Sequence, residues 1–202
     1  ATDACALAAE AHRRGLSLRA VELLDPAAAK AAGLANAEWV LLFDLAGTPA
    51  AVERSRQEIE DLAAGRAASA AGDIARLSQT TRSVLAQSAL LCKASLLPAK
   101  LPALTEALQA LDQPPTIVAW PTVGTVYASW REAADAHTLL MRSRDAAARL
   151  GGTLLVAVCP QELKRRIDVF GESPPSFELM RRIKQQFDPG GVLSPGRFLG
   201  RL

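Results

Sequence analysis

The chain has 202 residues and a net charge of +2; half of its residues are apolar but only 4% are aromatic. That length suits one large domain or two small ones, packed mainly by alanine and leucine in closely approaching helices. The near-balanced charge gives no electrostatic case for nucleic acid or an anionic membrane, and no apolar run reaches the roughly 18 residues of a membrane span. Cys5, Cys92 and Cys159 are widely spaced and form no Cys-x-x-Cys pair. This argues against a disulfide framework or a zinc site and fits a reducing cytoplasm. No signal peptide is visible, and a start at Ala1 without methionine reads as a fragment of something longer.

Ala4 to Arg14 reads as a helix closed by Gly15, and Leu16 to Leu24 as a strand. Asp25-Pro26 is a helix start, an N-cap followed by proline at the first helical position, and Gly33 ends that helix. Glu38 to Leu45 is the strongest strand, apolar on both faces except at Asp44, so cover on both sides is expected. Thr48-Pro49 caps a helix running to Gly65 with Val52, Ile59 and Leu62 inward. The interval from Gly65 to Gly72 reads as a loop, and Asp73 to Gln87 is ambiguous between helix and loop.

The second half is better punctuated. A strand is expected over Ala89 to Leu97, then a helix over Ala99 to Leu111 with Leu101, Leu104, Leu108 and Leu111 on one side. Pro114-Pro115 stops it, and strands at Thr116 to Trp120 and Thr125 to Ala128 flank a turn with Pro121 and Gly124. Ser129-Trp-Arg-Glu132 has the form of a capping box for a helix to Leu150, before a last strand at Thr153 to Cys159. This β-α-β-β-α-β order predicts an α+β fold: a ferredoxin-like antiparallel sheet with helices on one face, extended by an N-terminal strand-helix-strand element. The other face is left for a partner.

Residues 172–202 form a terminal helix and tail. Phe177, Met180, Ile183 and Phe187 recur at steps of three and four, predicting one inward apolar stripe capped by Ser176. Asp188-Pro-Gly-Gly stops the helix, and Ser194-Pro-Gly-Arg197 predicts a type II turn. Leu179-Met-Arg-Arg-Ile-Lys, Phe187-Asp-Pro and Leu193-Ser-Pro-Gly-Arg together resemble the end of FAD-linked oxidases of the vanillyl-alcohol oxidase superfamily, nearest to the FAD-binding subunit of glycolate oxidase. That pattern has asparagine where this chain has Ser194. The resemblance also takes in Leu41 to Val52 and Lys93-Ala-Ser-Leu-Leu-Pro98.

The resemblance implies a C-terminal cap domain that covers FAD and shapes a pocket for a small hydroxyacid or alcohol. It also implies a separate N-terminal FAD domain, which nothing in this sequence resembles, and as partners an iron–sulfur subunit and a second flavin subunit. The His-Gly-Asp-Gly-Asn metal motif of the dehydrogenase branch has no counterpart, so no metal site is expected.

No catalytic residue is identifiable from the residues themselves. His12 and His137 lie far apart in helical stretches and read as surface or packed histidines. A Walker loop, a Gly-x-Ser-x-Gly elbow and a Gly-x-Gly-x-x-Gly turn are all missing. Strand alternation puts Lys93 and Ser95 on one face and Cys92, Ala94 and Leu96 on the other, with Thr125 and Tyr127 alternating similarly. In the resembled oxidases this face lies over the flavin. The resemblance therefore implies Lys93, Ser95 and Tyr127 as substrate-binding residues, with Lys93 serving a carboxylate or charge on reduced flavin. It implies Ser194, Gly196 and Arg197 on the cofactor side. Two plainer readings stay open: Lys93 snorkels to water or pairs with Asp44, and the whole chain is a free-standing ferredoxin-like binding or assembly module without catalysis.

Overall fold

A computed structural model describes residues 1–34, 38–65, 79, 81–83 and 85–202. Six strands form one sheet in the order β2-β1-β4-β5-β3-β6, every neighbouring pair antiparallel. The strands are β1 (Leu18–Leu24), β2 (Val40–Leu45), β3 (Leu90–Ser95), β4 (Thr116–Trp120), β5 (Thr125–Trp130) and β6 (Thr153–Val158). The helices are α1 (Thr2–Arg13), α2 (Pro26–Ala31), α3 (Pro49–Ala63), α4 (Leu101–Gln109), α5 (Ala136–Arg149), α6 (Gln161–Arg166) and α7 (Phe177–Phe187). From β3 onward the order is the expected ferredoxin-like unit, and β1 and β2 extend its sheet beyond β4.

The larger core lies on one face. There Leu23, Cys92, Ala94, Ile117, Ala119 and Val126 meet Leu101, Leu104 and Leu108 of α4 and Leu140 of α5. Alternation sends Leu24, Leu91 and Val118 to the opposite face, where Ala28 and Ala29 of α2 and Leu85 cover them. α2 starts as its sequence predicts: the Asp25 carboxylate accepts from the Ala28 amide at 2.7 Å and Pro26 follows it. This second core is small; beyond β4 it reaches Leu91 of β3 and, in part, Tyr127 of β5. Gly124 locks the β4–β5 turn onto the end of β3, its carbonyl accepting from the Leu96 amide at 2.9 Å. A Cβ there would stand 1.9 Å from the Leu96 carbonyl oxygen.

Three expectations are corrected. The capping box does not form: Ser129 belongs to β5, its hydroxyl lies 2.6 Å from that of Ser88, and α5 starts later, with the Asp135 carboxylate accepting from the Thr138 amide. Backbone pairing with β3 wins over the local cap. Cover does reach both faces of the outer strand β2, where Leu41 packs against the main core and Val40 and Leu42 against the second, although only Leu42 is buried because an outer position gives apolar side chains fewer neighbours. Ser176 makes no side-chain cap, and α7 buries none of its residues. Phe177 and Met180 are half-buried, while Ile183 is 50% and Phe187 80% exposed. The helix-covered face of the sheet is already filled by α1, α4 and α5, so α7 has no sheet surface to lie on. The readings for 66–78 lie outside the described residues.

Candidate functional site

The site is set by register. β5 aligns Tyr127 between Val118 of β4 and Lys93 of β3, and Lys93 in turn faces Leu155 of β6. One row further on, Trp120, Thr125, Ser95 and Thr153 are aligned across the same four strands. All of these alternate away from the buried Cys92, Ala94, Val126 and Ala128 and belong to the face opposite the main core. α2 covers that face only over β1 and β4. Over β5, β3 and β6 it is more open: Tyr127, Thr125, Lys93 and Leu155 are half-buried, and Ser95 and Thr153 are exposed.

The Lys93 ammonium stands 5.9 Å from the centre of the Tyr127 ring, within the range of a cation–π contact. Trp120 meets the same ring edge-on, with centroids 5.5 Å apart and planes at 75°. Tyr127 is therefore held from one side and holds Lys93 on the other. The alternative of a Lys93–Asp44 pair fails on topology: three strands separate β3 from β2, roughly 19 Å at the usual strand spacing. Asp44 pairs instead with Arg19 at 2.6 Å. Burial pushes the Cys92 thiol on the reverse face up to about 12, which makes it a packing group and no nucleophile at neutral pH. His12 and His137 are exposed on α1 and α5.

Ser194, Gly196 and Arg197 lie apart from this cluster, on the exposed C-terminal turn. That turn is the predicted one: the Arg197 amide donates to the Ser194 carbonyl at 3.2 Å and Gly196 has φ +68. Ser194 itself adopts φ +48, a region where asparagine is tolerated better than serine. Sequence reasoning missed Trp120, Thr153 and Leu155. The signal for Trp120 lay in the short Pro121–Gly124 turn, which pairs Trp120 with Thr125. Thr153 and Leu155 needed the pairing of β6 with β3, which no local pattern carries.

This half-apolar stretch of sheet bears, among the described residues, the Lys93 ammonium and a row of hydroxyls. Among the described residues there is no cluster of metal-ligating side chains, and no helix is long and apolar enough to cross a membrane. The family model described as "FAD linked oxidases, C-terminal domain" matches residues 1–145 and 171–198. No curated protein matches the chain.

Proposed function

Because this chain belongs to the family of FAD-linked oxidase C-terminal domains, we propose that its open half-sheet roofs the flavin and that Lys93 receives the carboxylate of a small hydroxyacid. The family assigns FAD to the full-length protein and a flavin-binding domain as the partner of this one. When bound, FAD accepts the electrons of the oxidation. This chain's part is to cover, exclude water and orient. Thr125, Ser95 and Thr153 offer hydroxyls in a row beside Lys93, and Tyr127 fixes the ammonium over its ring. The Lys93 ammonium, 5.9 Å from the Tyr127 ring on the more open part of the sheet, is the observation that carries the reading: a positive charge on this face favours an anion. The same proposal takes a glycolate-like hydroxyacid as the substrate and Arg197 with Ser194 and Gly196 as a cofactor-side turn.

Lys93→Met in the full-length protein tests it. Loss of a charge-assisted contact costs about 1.5–3 kcal/mol, so kcat/KM for an acidic substrate should fall by roughly ten- to a hundredfold with thermal stability unchanged. A neutral alcohol measured in parallel separates the roles. Equal losses on both substrates move Lys93 from carboxylate recognition to flavin electrostatics; unchanged kinetics with lost stability make it structural.

A further inference from the structure

α6 follows β6 after Cys159 and Pro160, and one residue sets how it lies. Leu163 is buried in the main core, and Cys159 and Ile167 pack against the same core from either side of it in sequence. With Leu163 turned inward, the spacing i, i+3 and i+4 groups Gln161, Lys164 and Arg165 on the exposed part of the helix. Together with Cys159 they line a cavity of about 550 Å³, a volume within the range of small-molecule sites.

The lining carries charge of one sign, because no carboxylate borders the cavity. Lys164 forms no ion pair among the described residues. Arg165 gives one N–H to Glu162 at 3.2 Å, a pair in which the carboxylate side chain is 82% exposed. Such a pair holds its charges weakly, and the guanidinium keeps further donors for a second partner. The contrast with α5 is direct: there Arg142 and Arg149 are each met by a carboxylate, at 2.5 and 2.7 Å. The Lys164 ammonium also favours the Cys159 thiolate, against the burial that pushes this thiol up, so cation and thiol face one another. Gln161 adds amide donors.

Two cations without a counter-charge call for two negative charges. An arginine fork grips two oxygens of one planar or tetrahedral oxyanion, and the lysine adds a point charge beside it. A single carboxylate leaves one cation unmatched, while Glu162 beside Arg165 repels a longer polyanion. We propose that Gln161, Lys164 and Arg165, with Cys159 as one wall, bind a small dianion, either a phosphate monoester or a dicarboxylate. The site lies within residues 146–170, which the family model passes over, and it rests on neither Lys93 nor the flavin reading.

Cys159 reports on the cavity directly, since Cys5 and Cys92 are buried and Cys159 is half-buried. The full-length protein is alkylated with iodoacetate, an anion, or with neutral iodoacetamide, and the Cys159 peptide is followed by mass spectrometry. A unit charge about 6 Å away in a water-like medium enriches a counter-ion about threefold. The iodoacetate-to-iodoacetamide rate ratio at Cys159 should therefore exceed that of a free cysteine peptide by about three- to tenfold for one or two such cations. An unchanged ratio overturns the site. Inorganic phosphate and succinate are then compared with sodium chloride at equal ionic strength. A filled cavity should slow both reagents, by about threefold once the anion is at twice its Kd. The more protective of the two anions names the source. Slowing of iodoacetate alone is screening, and it overturns the proposal, as does equal protection by chloride. Lys164→Gln combined with Arg165→Gln should abolish both the reagent preference and the protection while the unfolding midpoint stays in place, because both side chains are exposed. Protection that survives in this variant overturns the assignment.

Discussion

Single side chains at this surface are placed by backbone constraints that the residues only partly satisfy. Ser194 occupies a left-handed conformation at φ +48, which costs most L-residues about 1–2 kcal/mol and asparagine less. The resembled pattern's asparagine at this place thus has a conformational reason, independent of any contact its amide makes. Ser194→Asn should strengthen the turn by up to about 1 kcal/mol, read as amide exchange at Arg197 slowing by about fivefold. The Arg197 amide is the right probe because it closes the turn on the Ser194 carbonyl. Exchange left unchanged would mean that the strain at φ +48 is relieved elsewhere in the tail.

Among the elements, α5 and α7 are both amphipathic and meet opposite fates. α5 lies on the main core, where Leu140 is fully buried; α7 buries nothing. Leu140→Ala should therefore cost about 2–5 kcal/mol through lost burial and a residual cavity. Phe187→Ala, at 80% exposure, should change the stability of this chain by less than about 0.5 kcal/mol. Chemical denaturation of the two variants side by side checks the contrast. A large loss at Phe187 would show that the ring is covered within this chain. The apolar periodicity of the two helices is the same in kind. What differs is whether a sheet face remains for the helix to lie on.

On the proposed reading the molecule is half of a site: its half-sheet covers a cofactor held by another domain, and a cofactor held between two domains loses most of its contacts when one of them is taken away. This chain by itself should be colourless and bind FAD no tighter than about millimolar, measured by titration of flavin fluorescence. A yellow preparation with stoichiometric flavin would give the chain a flavin site of its own and overturn the division of labour. The sequence by itself determined the local pieces: the Asp25-Pro26 and Thr48-Pro49 helix starts, the α4 leucine stripe, the Pro195-Gly196 turn and the alternation that sets Lys93 against Cys92. These are legible because each depends on residues within a turn or two of one another. The tertiary structure alone decided that Ser129 joins a strand, that Tyr127 and Trp120 hold Lys93 in place, and that Ile183 and Phe187 face outward. Each of these depends on competition for a surface made by distant segments. An apolar stripe states that a helix has something to bury, and only the filled sheet face shows that the main core does not bury this one.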